Sequence, residues 1–456
     1  MTTMLQTDPA SIFEKFHDPL WVKPQLQARL RDLVGFEGVI QHCEISYVHY
    51  KRYLKVQSRH KSFLSLCYDL SIADHHGGIR SQKLFAKAYL NNRGQLEFHR
   101  IVQKGNPHLP QEQRPLYLAD LDMIVWRFPA DPLLPQLPKL LDPQQVLQYV
   151  PQNYRSEGPR FLMRITPQVI HYRPENRCTI RYDLLEPQRS SRRVQTFFAK
   201  TFQNQEKMIF ERMEMLWNIF QHVPCAIQAP KPIAYDENLN TIWQDGVSGL
   251  PLGQIINASN YQSFMALTAR GIATLQQSPL PTSYGVSSQD HLIEFKKKSQ
   301  KLSQVYPPGE QVLKSIEKCL EGLAPLDSTR PTCIIHGDFH IGQLLADHTS
   351  VTFFDLDECM HGDPLQDVAN FLVDLQFLNF PPDLRQQMSQ SFVKAYMSLV
   401  PWEVSPQALD WHQAIQFTNK VYRSFVQRKP SFEDDFDRFI RFVETSSLSI
   451  TQHESC

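Results

Sequence analysis

Two short apolar runs, each ending in a loop that carries carboxylates, constrain this chain most. The first, 333–335, leads into His336-Gly337-Asp338-Phe339-His340, and Gln343 opens a second apolar segment. The other, 351–354, ends on Asp355, 17 residues after Asp338, and Gly362-Asp363-Pro364 and Asp367 follow. Both read as buried strands, because short apolar runs rich in β-branched and aromatic residues fit a sheet. Asp at a strand end favours a turn. His336 reads as a residue that orients its loop, and Asp367 as a buried or helix-start carboxylate that steadies it.

This order of groups has a chemical use. Phosphoryl transfer from ATP needs a carboxylate for the attacking hydroxyl, oxygen ligands for a metal, and a Lys on the phosphates. Kinases place the catalytic Asp and a metal-binding Asn five positions apart. Asp338 and Gln343 share that separation of five. Asp355 fits a second metal ligand, since Mg²⁺ takes few protein oxygens and leaves room for phosphate and water.

The rest of the chain divides around these loops. Its 456 residues suffice for two or three domains. Prolines cluster between about 107 and 151, which reads as a boundary or an irregular connector. Strands are expected at 161–172, 178–185, 194–202 and 241–244, with Pro174-Glu175-Asn176 as a turn. A helix is expected over 205–221, where apolar residues recur near helical spacing. From Asn260 onward helices dominate, broken only by the two strands described above. An internal echo is also present: Tyr47-Val48-His49-Tyr50 against Val169-Ile170-His171-Tyr172, Tyr68 against Tyr182, and Leu84-Phe85-Ala86-Lys87 against Phe197-Phe198-Ala199-Lys200. It suggests a second β-meander in the N-terminal region. Only Lys200 is expected to sit before a helix; turn residues around Gly94 and a strand are expected after Lys87.

Composition narrows the class of function. Lys+Arg and Asp+Glu are both 47, so general nucleic-acid binding, which needs a basic surface, is not expected. The first twenty residues have no apolar signal core, and no run approaches the ~20 apolar residues of a membrane span. The eight cysteines form no CxxC pair and read as reduced packing thiols. A cytoplasmic protein without membrane or nucleic-acid partners is expected. Lys296-Lys297-Lys298 reads as a solvated helix face.

The segment His336-Gly337-Asp338-Phe339-His340, then Asp355, then Gly362-Asp363-Pro364 with Asp367, resembles the aminoglycoside phosphotransferase/choline kinase-like superfamily over about 160–445. The resemblance implies an α+β, two-lobed protein-kinase-like fold: an N-terminal extension at 1–155, a small ATP-binding lobe and hinge at 156–250, and a helical catalytic lobe at 251–456. It implies an ATP- and Mg²⁺-dependent O-phosphotransferase acting on a hydroxylated small molecule, a sugar or an amino sugar. Asp338 would be the base, Gln343 and Asp355 the metal ligands, and Lys200 the group on the α/β-phosphates. Glu211 would pair with Lys200, with Glu214 one turn on as the other candidate. Gln244 and Asp245 fall in the hinge segment that holds adenine. Gln343 replaces the usual Asn, as in maltokinase-like members. No GxGxxG precedes Lys200, so Asn176 and Arg177 of the 173–177 turn would approach the phosphates. His340, Asp357 and Glu358 would face the acceptor, with Asp363 adding charge nearby.

Two readings from other classes fit some of these residues. A nucleotide-binding pseudokinase could serve as a partner-binding module. A metallohydrolase could use His336, Asp338 and His340 as ligands, but it leaves Lys200 and Asp355 without a role.

Overall fold

A computed structural model of the chain describes residues 13–30, 38–53, 61–105, 109–150, 164–185, 194–204, 206–222, 227–279, 285–323, 330–347 and 350–448. The boundary expected at 155, positions 161–163, Gln205, Cys225 and Cys456 lie outside them.

After helix α1 (Pro19–Leu30), the chain builds an antiparallel sheet from β1 (Val39–Lys51), β2 (Phe63–Ala73), β3 (Ile79–Ala88), β4 (Leu116–Leu118) and β5 (Met123–Arg127). Helix α2 (Arg93–Lys104) joins β3 to β4. The strand order is β1-β2-β3-β5-β4. A second sheet repeats the plan with β6 (Arg164–Arg173), β7 (Arg177–Leu185), β8 (Val194–Phe202), β10 (Pro232–Asp236) and β11 (Thr241–Asp245). Its order is β6-β7-β8-β11-β10. Helix α3 (Lys207–His222) and the short β9 (Ile227–Gln228) precede β10.

The repetition extends to register. In the first sheet His49, Ser65, Lys87, Ile124 and Tyr117 are cross-strand neighbours on one rung. In the second, His171, Thr179, Lys200, Ile242 and Tyr235 occupy the same rung. In each copy a helix Phe meets the Tyr of the fourth strand: Phe98 with Tyr117 at 5.6 Å, and Phe210 with Tyr235 at 6.5 Å. A shared rung, strand order and helix position identify the N-terminal sheet as a structural repeat of the second one.

Two sequence expectations are corrected here. Lys87, like Lys200, is followed by a helix. Gly94, read as a turn residue, lies in the first turn of α2 because a Cβ there would meet Asp122 Oδ1 at 2.5 Å. The Pro-rich stretch is also not merely a connector. It supplies β4 and β5, its prolines falling outside both strands, and β5 is buried throughout.

Residues 246–249 lead into the helical lobe. Here β12 (Leu250–Pro251), β14 (Leu344–Ala346) and β15 (Val351–Phe353) form a sheet with β9, while β13 (Cys333–Ile335) pairs with β16 (Met360–Gly362). Around them pack α4 (Tyr261–Gln276), α5 (Ser288–Val305), α6 (Glu310–Gly322), α7 (Leu365–Gln376), α8 (Pro382–Met397), α9 (Pro406–Val426) and α10 (Phe432–Thr445). The lobe thus holds more strands than the two expected.

The two faces of the first sheet pack on different partners, one on helices of the helical lobe and the other on the second sheet. Alternate residues point to opposite faces of a strand. Leu66, Tyr68 and Leu84 pack with Phe295, Trp411 and Phe436 of the helical lobe. Cys67, Phe85 and Trp126 face the other way and share a core with Tyr182, Phe197 and Trp243 of the second sheet. Leu134, Leu137 and Leu140 from the Pro-rich stretch belong to that second core. Burying each such side chain contributes about 1.5–3 kcal/mol. Among the described residues, no helix is long and apolar enough to cross a membrane.

One buried titratable group makes stability depend on pH. His291 of α5 packs edge-on against Trp411 and His412, and its Nε2 lies 2.8 Å from Gln366 Oε1. Burial, and then His412, lower its pKa from 6.5 to about 4. The unfolded chain therefore takes up this proton first as pH falls, so stability is lost between pH 6.5 and about 4. Between pH 7 and 5 this one group is expected to cost about 2 kcal/mol. Urea denaturation of wild type and His291→Gln at the two pH values measures it. An equal pH dependence in both proteins contradicts the assignment.

Candidate active site

The loop after β13 is built by the residues around it. Gly337 has φ +84°, and a Cβ there would sit 2.3 Å from the Glu358 carbonyl, so no other side chain fits without displacing backbone. The fully buried Asp367, in the first turn of α7, accepts hydrogen bonds from the backbone N–H of His336 (2.7 Å) and Gly337 (3.0 Å). Burial still raises its pKa against these bonds. Phe339 stacks on Phe353 and Phe371, with ring centroids 5.7 and 5.1 Å away, and anchors the loop in the core. Asp338 is left with a third of its side chain exposed (33%). Asp367→Ala strands the N–H donors of the buried His336 and the half-buried Gly337 and is expected to lower unfolding free energy by about 2–5 kcal/mol, read by thermal or urea denaturation. An unchanged midpoint contradicts the role.

His336 turns inward, fully buried, with Nε2 3.2 Å from the Phe354 carbonyl oxygen. His340 stays beside the loop carboxylate: Nε2 is 3.8 Å from Asp338 and Nδ1 3.9 Å from Asp374. Among the described residues, no three His, Cys, Asp or Glu side chains are grouped to hold a metal ion. The His336–Asp338–His340 arrangement therefore does not form as a ligand set.

Charges from both lobes meet at the loop after β15. Lys200 of β8 forms ion pairs with Asp355 and with Asp357, the latter at 2.5 Å. Arg177, at the start of β7, reaches Asp357 at 2.7 Å and Asp355 at 3.5 Å. The buried Gln343 donates from Nε2 to Asp355 Oδ2 at 3.1 Å. Burial alone would raise the Asp355 pKa, but Lys200 and Arg177 outweigh it and hold the carboxyl well below the usual range. Burial raises that of Asp357. Arg212 of α3 donates to the backbone carbonyls of Asp357 (3.1 Å) and Cys359, tying the helix to this loop. One amide and two carboxylates offer oxygen donors that suit a hard divalent cation.

The β6–β7 turn is held in place from outside the second sheet. Asp131 accepts from the Tyr172 hydroxyl (2.7 Å) and the Glu175 N–H (2.9 Å). Lys87, the repeat counterpart of Lys200, forms an ion pair with Glu175. Asn176 lies in this turn, its N–H donating to the Arg173 carbonyl at 3.1 Å and its own carbonyl accepting from Gln203 N–H at 2.9 Å. The N-terminal repeat thereby fixes the turn from which Arg177 extends.

Several expected positions change. Glu211 does not pair with Lys200. It and Glu214 lie on the exposed side of α3, whose buried face is Ile209, Met213, Leu216 and Phe220. Asp357, expected beside the acceptor, belongs to the Lys200–Arg177 group instead. Asp363 is also removed from that surface: Arg330 forks onto it at 2.6–3.1 Å and His412 lies 3.2 Å away. Glu358 is exposed. Gln244 and Asp245 end β11, where the chain leaves the second sheet for the helical lobe, and Gln244 pairs with Phe198. Sequence reasoning missed Arg423, whose Nη2 is 4.0 Å from Asp338 Oδ1, and the Lys420–Asp374 ion pair beside His340. No local motif marks them; only the packing of α9 brings them to the loop.

Residues 181–401 match the model of the family described as APH, phosphotransferase enzyme family. No curated protein matches the chain significantly. Among solved structures, a choline/ethanolamine kinase family protein from Mesorhizobium loti is similar at 13% identity, with 67% of this chain and 94% of that chain covered and a TM-score of 0.45. A choline kinase from Cryptosporidium parvum is similar at 11% identity, covering 66% of this chain and 95% of its own, with a TM-score of 0.48. For an aminoglycoside phosphotransferase from Streptomyces rimosus the figures are 14% identity, 55% and 91% coverage, and a TM-score of 0.39.

Proposed function

We propose, from the premise that residues 181–401 of this chain belong to the phosphotransferase enzyme family, that it moves the γ-phosphoryl group of ATP to a hydroxyl of a small molecule. The observation that carries this reading is the meeting of Lys200 and Arg177 from the second sheet with Asp355, Asp357 and Gln343 from the helical lobe. Two cations on one lobe can take anionic phosphates, and oxygen donors on the other can take their metal. Asp338 lies on the adjoining loop, partly open to solvent.

In this reading Asp338 accepts a hydrogen bond from the acceptor hydroxyl, orients it and takes its proton. The acceptor oxygen bonds to the γ-phosphorus as the bond from that phosphorus to the β–γ bridging oxygen breaks. ADP leaves with the electron pair, and the proton passes from Asp338 to solvent. Lys200 and Arg177 hold the phosphates, with Asn176 in the turn beside them. Gln343 and Asp355 would hold Mg²⁺, with Asp357 next to them. Bound there, the ion supplies neutralising charge to the β- and γ-phosphates. Gln244, Asp245 and the following link would receive adenine. Little covalent work falls to the protein, so positioning and charge account for most of the rate.

The acceptor is a hydroxylated small molecule, with a sugar or amino sugar as the starting class. We assign residues 1–155 as a cap, 156–250 as the nucleotide lobe and 251–456 as the catalytic lobe, in an ATP-supplied cytoplasmic setting. ADP release by the purified protein with Mg·ATP and a panel of hydroxyl compounds tests the reading. Acceptor-dependent release that EDTA abolishes is expected. A protein that does not bind Mg·ATP contradicts it.

A further inference from the structure

Helix α9 carries one cation to Asp338 and receives two lysines from α5 at neighbouring positions. Arg423 stands 4.0 Å from the Asp338 carboxylate, half exposed. On the same helix, Asn419 Oδ1 accepts from Lys298 Nζ at 2.6 Å and the Tyr422 hydroxyl from Lys301 Nζ at 3.1 Å. Lys298, expected on a solvated face, is instead turned inward from α5 toward α9. The cationic surface then continues to the first sheet and the phosphate turn. His49 of β1 is perturbed by burial first, and next by Arg173, Lys51 and Lys301. Arg173 begins the turn that carries Arg177.

Besides Asp338 beside Arg423, the carboxylates near these groups are engaged with other cations. Glu294 of α5 bonds Lys297 at 2.6 Å and also feels Lys298 and Lys301. Asp374 is taken by Lys420, and Glu175 by Lys87. Burial lowers the Lys298 pKa, and Arg423 and Lys301 lower it further while Glu294 opposes them. Clustered like charges beside a partly desolvated lysine repel one another, and a bound anion relieves that repulsion. A cationic acceptor would add to it.

We propose that the phosphoryl acceptor is itself an anion: a hydroxyl compound bearing a phosphate or carboxylate, held by Arg423, Lys298 and Lys301 while its hydroxyl meets Asp338. The proposal rests on the phosphotransferase reading above and narrows its acceptor. It moves the acceptor away from free amino sugars and toward acidic derivatives of sugars and polyols. The step keeps the balance already given, and the anionic group takes no part in bond making.

Matched acceptors test this: glucose, glucose 6-phosphate and gluconate; glycerol, glycerol 3-phosphate and glycerate; with choline and an aminoglycoside as cations. Binding to the full chain is measured by calorimetry with Mg·AMP-PNP present, and turnover by ADP release. At least one anionic member is expected to exceed its neutral parent by about 10- to 100-fold in affinity, the yield of a charge-assisted hydrogen bond or two. The phosphate and carboxylate arms separate the two sources of charge. Added salt is expected to shrink the preference. Arg423→Gln and Lys301→Gln are each expected to raise the acceptor Kd by about tenfold with the Mg·ATP Kd unchanged. If Mg·ATP binds but no anionic member is preferred, or if these variants weaken only ATP, the proposal is overturned and the phosphotransferase reading stands. If Mg·ATP itself does not bind, that reading fails instead.

Discussion

Asp338→Asn is expected to lower kcat by about 10²- to 10⁴-fold, the usual contribution of a positioned general base. The amide keeps the shape of the side chain but cannot take a proton from the acceptor hydroxyl. Fold and Mg·ATP affinity should be kept. The loop is held by Asp367 and the Phe339 stack, and the phosphate-side charges lie on other residues. The Arg423 guanidinium loses its nearby charge, so the acceptor Kd should change modestly while kcat collapses. Pre-steady-state and steady-state ADP release, with calorimetric ATP binding alongside, measure both quantities. Turnover within a few-fold of wild type would remove Asp338 from the chemistry.

Asp355→Asn should act on a different quantity. Asp355 is paired with Lys200 and Arg177 and touched by Gln343, which makes it the centre of the charge group where the two lobes meet. Removing its charge leaves Asp357 as the carboxylate in ion-pair contact with the buried Lys200 and the half-buried Arg177 among the described residues. Metal affinity in the presence of nucleotide is expected to fall by at least about tenfold, since even outer partners of a metal ligand are worth that much. ATP binding without metal should hold or improve, because Lys200 and Arg177 lose a competing anion. Titrating Mg²⁺ against activity, and ATP against the metal-free protein, separates the two effects. An unchanged Mg²⁺ midpoint contradicts the ligand role. A combined loss of fold would show instead that Asp355 serves stability, and circular dichroism reads that directly.

What could be read from sequence follows the distance over which each feature is encoded. The Asp338 loop and Asp355 were legible because a strand, a tight turn and a carboxylate are local in the chain. The turn that presents Arg177 was legible as a Pro-Glu-Asn break between two strands. Glu211 was misplaced although the signal was available. Apolar residues at 209, 213, 216 and 220 mark the buried face of α3, and neither 211 nor 214 is among them. Asp357 was assigned to the wrong side because only the folded lobes show Lys200 and Arg177 closing on it. Arg423, Lys420 and Lys298 carry no motif: the packing of α9 brings the first two to Asp338 and Asp374, and the packing of α5 against α9 brings Lys298 to Asn419.

The repeat shows a different balance. Its first three strands were visible as spaced His, Tyr and Lys residues, of which His49 and Lys87 share the rung. Its helix was hidden by Gly94, which sits there for a close approach to Asp122 and not for a turn. Its last two strands were hidden by flanking prolines. The repeat also gives Lys87 a clear physical difference from Lys200. Lys87 faces the second sheet and is taken by Glu175, whereas Lys200 faces the carboxylates of the helical lobe. The same rung position thus carries a structural lysine in one copy and the proposed phosphate lysine in the other.

The most direct test of the central claim follows the phosphorus atom. Phosphorus NMR of wild-type protein with Mg·ATP and a productive acceptor is predicted to show one new phosphomonoester per ADP formed. Asp338→Asn should form neither at a comparable rate. ADP accompanied only by inorganic phosphate, at the same rate in both proteins, would contradict phosphoryl transfer to a hydroxyl at this site.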